Sequence, residues 1–193
     1  MKKRIVCIMG ETASGKDSIS KYICKNFNVH PVVSYATRPM REGEVNGREH
    51  YFITEEEMAN IRSSKNVFAY TRIEDKTKTA TDGYEYCATL ESLPDGDIIY
   101  VIDPNGVNYM KNDPKIMEKV ELLVLYIYVP YEVRKERAKK SRSDFEKFED
   151  RCKQEEDQFR KMVEDRNYDY IINNENFDEA CLKAGKIVSA FLK

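Results

Sequence analysis

Two short segments hold the residues whose types and spacing could do chemistry. The first is GETASGKDS, Gly10 to Ser18, which has the spacing G-x-x-x-x-G-K. Glycines at both ends let the chain curl so that the amides of Glu11, Thr12, Ala13, Ser14 and Gly15 face inward. A helix beginning at the same point would add its positive end. That arrangement binds a polyphosphate, and Lys16 would place a point charge beside the β and γ phosphates, where charge shifts during phosphoryl transfer. Asp17 stands where a serine or threonine ordinarily follows the lysine. Its carboxylate is a hard oxygen ligand suited to Mg²⁺, and Ser18 is the alternative ligand. The second segment is SYATRPMREGEVNGREHYF, Ser34 to Phe52. Arg38 and Arg41, three residues apart and close to Ser34, could hold a phosphate monoester through paired N–H donors that lysines do not offer. Together the segments supply one site for a donor phosphate and one for an acceptor.

Elements able to position them are legible on either side. An apolar run from Arg4 to Met9 precedes the first segment, and Ile19, Tyr22, Ile23 and Phe27 follow at helical spacing, giving strand, glycine turn, helix. Between about Val32 and Thr89 the pattern changes to short β-type pieces (VVSYA, YFIT, VFAY, YEYCAT) among polar turns, with TEEEMANIRSS as a short helix. Farther on, DIIYVID and LLVLYIYV are uninterrupted apolar runs, as expected for parallel strands covered on both faces. Residues 131–166 are charged and helical in propensity. YDYIINN supplies another strand before a helix from Phe177 to Leu192. The reading is one α/β domain with a parallel core (1–31, 90–130 and 167–193), an inserted strand-rich lobe (32–89) and a charged helical cover (131–166).

Composition excludes several classes. The chain has 193 residues, enough for one domain with a substantial core. Thirty-two basic against thirty-four acidic side chains leave a net charge of -2, so no global excess of positive charge holds it on nucleic acid or an anionic membrane. No apolar run approaches the roughly 20 residues that cross a bilayer, and the apolar start is broken too early for a signal peptide, so a cytoplasmic protein is expected. Its five cysteines are widely spaced without a CxxC pair, which reads as reduced packing thiols. His30 reads as a loop residue rather than a catalytic one.

The second segment closely resembles the guanylate kinase family, whose pattern is S-x-x-T-R-x-x-R-x-G-E-x-x-G-x-x-Y-x-F. The resemblance extends to the Gly10 loop, GYEYCAT, YVIDPNG, the charged helices and YDYIINN, nearly the whole chain. It implies a P-loop NTPase fold with a five-stranded parallel sheet, an inserted acceptor lobe and a helical lid. It also implies Mg²⁺-dependent transfer of the ATP γ-phosphoryl group to a nucleoside monophosphate, GMP or dGMP, by a monomer or homodimer. Carried over residue by residue, Ser34, Arg38, Arg41 and Tyr86 correspond to the acceptor-phosphate clamp. The tyrosine before x-F falls on His50 or Tyr51, and strand alternation decides which faces the site. Asp103 matches the second acidic position of the D-x-D pair, while Val101 replaces the first. Arg137, Arg142 and Arg151 correspond to the lid arginines and Asn173 to the asparagine on the adenine side. The guanine-reading glutamate and hydroxyl fall on Tyr70 and Ala88, with Cys87 replacing the glycine between. Glu74 or Asp75 of the following insertion could take the glutamate's place.

Two other readings stand beside this one. The ending G-K-D-S resembles the loop of ribose bisphosphate kinases, which would make the acceptor another nucleotide or a ribose bisphosphate. A catalytically silent guanylate-kinase-like module for protein binding would characteristically lack the phosphate loop, whose Gly10, Gly15 and Lys16 are present.

Overall fold

The computed structural model describes residues 2–64, 66–74, 83–141 and 145–193. The first strand, β1 (Lys3–Met9), ends at Gly10, and α1 (Lys16–Asn26) begins immediately after Gly15. A short edge strand, β2 (Val29–Pro31), follows. His30, expected in a loop, is paired there with Ile98. The sheet resumes with β7 (Asp97–Val101), β8 (Val120–Tyr128) and β9 (Tyr170–Asn173). All pairings are parallel, in the order β2-β7-β1-β8-β9. The sheet is the five-stranded parallel one expected from the sequence.

Both faces of that sheet are covered, which explains its unbroken apolar strands. Ile5, Cys7 and Met9 join Ile98, Tyr100, Val124 and Tyr126 in one core cluster. Val6 and Ile8 join Ile99, Leu123, Leu125 and Ile127 in the other. The second cluster is closed by Ile19 and Ile23 of α1 and by Ala180, Ala184 and Val188 of α7 (Phe177–Phe191). The first is closed by Val107 and Met110 of α3 (Pro104–Lys111) and by Phe159 and Met162 of α6 (Phe148–Glu164). Strand β1 lies between β7 and β8: the chain leaves it toward β2 on one side and later crosses from β7 over it to β8 on the other. The carboxyl ends of these strands therefore open on one crevice, the usual ligand position in such sheets.

Between β2 and β7 the chain builds a second sheet from β3 (Ser34–Ala36), β4 (His50–Phe52), β5 (Val67–Glu74) and β6 (Gly83–Thr89), in the order β4-β3-β6-β5. The expected short helix is α2 (Glu55–Ser63). Its capping box pairs the Thr54 hydroxyl with Glu57 N–H and the Glu57 carboxylate with Thr54 N–H. Phe68, Ala69 and Ala88 pack into the first core cluster and join this sheet to the rest. Helix α4 (Pro114–Met117) leads into β8, and α5 (Tyr131–Ser141) and α6 form the charged helical pair. Among the described residues no helix is long and apolar enough to cross a membrane. All five cysteines are free thiols.

Candidate active site

The loop between β1 and α1 is held from several directions. Gly15 adopts φ 81°, the left-handed region that glycine enters at no steric cost, and this turns the chain into α1. Gly10 passes so close to β8 that a Cβ there would lie 2.9 Å from the Ile127 carbonyl oxygen. Ala13, at φ 63°, carries the strain a non-glycine residue accepts in that region, about 1 kcal/mol. Lys16 starts α1 and is half-buried, while Asp17 and Ser18 are exposed on its first turn. Among the described residues the Lys16 ammonium has no acidic partner.

Glu11, expected to offer its amide, also uses its side chain. Its carboxylate accepts from Arg134 Nη2 at 2.8 Å and from the Tyr126 hydroxyl at 3.0 Å. The Arg134 guanidinium is buried and also donates to the carbonyls of Thr12 and Val129, both at 3.2 Å. Thr12 receives a second carboxylate from α6. Glu155 accepts from its amide at 2.6 Å and from its hydroxyl at 2.7 Å. Sequence reasoning missed both partners. Their signals are helical spacing, Arg134 one turn before Arg137 and Glu155 one turn after Arg151.

Asn173, expected on the adenine side of the nucleotide, is exposed and bonds Glu175 at 2.8 Å. Asn174 is the asparagine that reaches the glycine loop, buried and donating to the Ser14 carbonyl at 2.7 Å. Alternation gives the reason: Ile172 lies in the core, so Asn174 continues its inward side and Asn173 the outward one. Arg137 lies beside Gly15 and donates to the Asn174 carbonyl at 2.7 Å. Arg142 lies outside the described residues.

The cluster expected to hold the acceptor phosphate centres on Arg38, buried in the segment after β3. Its two terminal nitrogens grip Glu44 at 2.7 and 2.6 Å, and its Nε donates to the Tyr86 hydroxyl at 3.1 Å. The guanidinium also lies 5.1 Å from the Phe52 ring centre. Glu44, part of the family pattern but not among the expected site residues, accepts in addition from Arg41 N–H at 2.8 Å. Ser34 Oγ and His50 Nδ1 are 3.0 Å apart, and the His50 ring meets Tyr86 edge-on. Strand alternation thus selects His50. Tyr51 stacks on Tyr35 on the opposite face, away from the clamp.

Electrostatics within this cluster follow from its geometry. Burial would raise the Glu44 carboxyl, but hydrogen bonds from Arg38 and from Arg41 N–H outweigh it and hold the group at about 2. Burial and then the Arg38 charge lower the His50 imidazole. The packing around Arg41 and the like charges of Arg38 and Arg151 lower that guanidinium too. The charge of Arg151 on α6 thus acts on Arg41, an unfavourable interaction that a bound anion would relieve. An acid titration tests the Glu44 pairing. Its depressed pKa contributes stability above the unfolded value of 4.5 that is lost as pH falls toward 2. Unfolding followed across that window should show a stability loss that is smaller in Glu44→Gln, and identical profiles would contradict the pairing.

Asp103 caps α3 at the end of β7, accepting from Gly106 N–H at 2.7 Å, and burial raises its carboxyl. Tyr70 departs from expectation. In the β5–β6 ladder it pairs with Cys87 and its hydroxyl donates to Glu85 at 2.9 Å, on the face opposite Tyr86. Residues facing the clamp's side are Thr71, paired with Tyr86, and Ala69, paired with Ala88. Ala88 is fully buried in the core cluster. Glu74 ends β5, and Asp75 lies outside the described residues.

The glycine loop at the end of β1 is thus joined to α6 through Glu155, and a second cluster is built around Arg38, Glu44 and Tyr86. Comparison with known proteins places the chain among similar ones. The family described as guanylate kinase matches residues 2–191. A guanylate kinase of Rickettsia felis is 26% identical over 98% of this chain and 94% of its own length. One from Clostridium tetani is 26% identical over 98% and 86%, and one from Blochmanniella floridana 27% over 94% and 83%. The crystal structure of guanylate kinase from Anaplasma phagocytophilum superposes with a TM-score of 0.66 at 21% identity, covering 98% of this chain and 86% of that one, a likeness of fold.

Proposed function

The chain belongs to the guanylate kinase family, and from that premise we propose that it transfers the γ-phosphoryl group of ATP to GMP or dGMP, giving ADP and the nucleoside diphosphate. The observation that carries the reading is a glycine loop ending on the N-terminus of α1, together with a second cluster that holds Arg38 and Arg41 around Glu44 and Tyr86. In this reading residues 32–89 are the acceptor lobe and 131–166 the lid, in a cytoplasmic enzyme.

Each residue then has a defined task. The amides of residues 11–15 cradle the ATP phosphates and Lys16 neutralises charge on the transferring group. Asn174 braces the loop through the Ser14 carbonyl. Arg41, with Ser34, His50 and Tyr86, grips the acceptor phosphate, and Arg38, anchored by Glu44, fixes the clamp's shape and adds its charge. Arg151 approaches from α6 and Arg137 stands beside Gly15, so both can offset charge that develops between donor and acceptor. Positioning and electrostatics carry this chemistry, and no strong general base is required.

The residues present fit a magnesium ion. Asp17 and Ser18 offer exposed hard oxygen ligands next to Lys16. Mg²⁺ keeps several waters and takes ligands from nucleotide phosphates, so one or two such protein oxygens suffice. When bound it would neutralise charge on the β and γ phosphates.

A coupled assay of ADP release tests the reading with a panel of nucleoside monophosphates and a ribose bisphosphate. Turnover of GMP or dGMP is expected, abolished by EDTA and restored by excess Mg²⁺. Turnover of the ribose bisphosphate alone would overturn it in favour of the other acceptor class.

A further inference from the structure

We propose that Glu155 is an internal anion that competes with nucleotide phosphate for the phosphate loop, and so sets the loop's nucleotide affinity. This inference rests on the reading of Gly10–Ser18 as the ATP site. It goes further, because it concerns a carboxylate of α6 that occupies donors of that loop.

Both Glu155 oxygens are engaged, one by the Thr12 amide at 2.6 Å and the other by the Thr12 hydroxyl at 2.7 Å. These are the donors, a main-chain N–H and a short hydroxyl, with which such a loop takes a phosphate oxygen. A carboxylate only accepts, so it satisfies them as an anion does. Thr12 is buried at 4% exposure, which leaves little room for a second anion on the same donors. The contact is supported at a second point. Arg134 of α5 bonds the Thr12 carbonyl and the Glu11 carboxylate, and its Nη1 lies 3.5 Å from Cys152 Sγ on α6. Helix α6 is thus presented to the loop by a buried cation, rather than resting there through Glu155 alone. The charge of Arg151, one turn earlier, acts on Arg41, and that of Glu155 on Asp103 beyond the end of β7.

A phosphate arriving at Thr12 must displace this carboxylate, because two anions cannot share one pair of donors and they repel each other at close range. Nucleotide binding then breaks two charge-assisted hydrogen bonds. The affinity of the wild-type protein is reduced by the fraction of time Glu155 occupies the loop.

Calorimetric titration with MgADP compares wild type, Glu155→Gln and Glu155→Ala. Both variants should bind about tenfold more tightly, the scale of one charge-assisted hydrogen bond, while Glu156→Gln, altered at an exposed neighbour, should match wild type. Thermal unfolding of the nucleotide-free variants checks that each is folded, and having two makes the test independent of either. Equal or weaker binding by the Glu155 variants overturns the proposal; weaker binding that depends on Mg²⁺ would assign Glu155 to the metal side instead. No binding of MgADP by any form, wild type included, would remove the nucleotide site itself and the proposal with it.

Discussion

Replacing Lys16 by methionine should lower kcat for phosphoryl transfer by roughly 10²–10³-fold, the usual consequence of removing one preorganised charge at a reacting centre. The fold should survive. Lys16 is half-buried at the first position of α1, and methionine keeps most of its length and helix propensity. The loop's shape depends on Gly15 at φ 81°, on the close passage of Gly10 over β8 and on Asn174 bracing Ser14, none of which uses the ammonium. The thermal midpoint should therefore stay within about 4 °C of wild type, the shift that roughly 1 kcal/mol produces in a domain of this size. Steady-state kinetics with ATP and GMP, together with unfolding curves, check both halves. An unaltered rate would remove the lysine from the mechanism.

Arg38→Met should act on stability and acceptor binding together. Arg38 is 6% exposed and holds Glu44 by two hydrogen bonds while its Nε engages Tyr86. Removing the cation leaves the Glu44 carboxylate partly buried without its partner, which costs about 3–5 kcal/mol in comparable pairs. Stability should be largely recovered in Arg38→Met/Glu44→Gln, where no charge is stranded. Acceptor KM should not recover, because the clamp has still lost a guanidinium. Urea unfolding and the KM for GMP separate the two contributions. A double variant with normal KM would make Arg38 purely structural.

The parts of this molecule legible in its sequence are those fixed by short-range rules. Apolar strands, the glycine spacing around Lys16 and the short helix in TEEEMANIRSS each depend on neighbours a few residues away, and the structure places them as expected. His50 rather than Tyr51 follows from strand alternation once Ser34 and His50 are known to pair. Asn174 rather than Asn173 follows from the same rule with Ile172 as reference. The face Tyr70 takes is not readable in this way, because it is set by the cross-strand pairing of Thr71 with Tyr86, which local spacing does not specify.

By itself the sequence determined that this chain builds a parallel α/β core with a phosphate loop and a second, arginine-bearing anion site, since local spacing and hydrophobic pattern specify both. Only the tertiary structure decided which charges oppose each other across the crevice. Arg134 finds Glu11 across 123 positions and Glu155 finds Thr12 across 143. Such pairs arise where the ends of β1, β7 and β8 bring distant segments within a few ångströms. The strength of an ionic contact is set by that separation and by burial, neither of which is written in the spacing of residues along the chain.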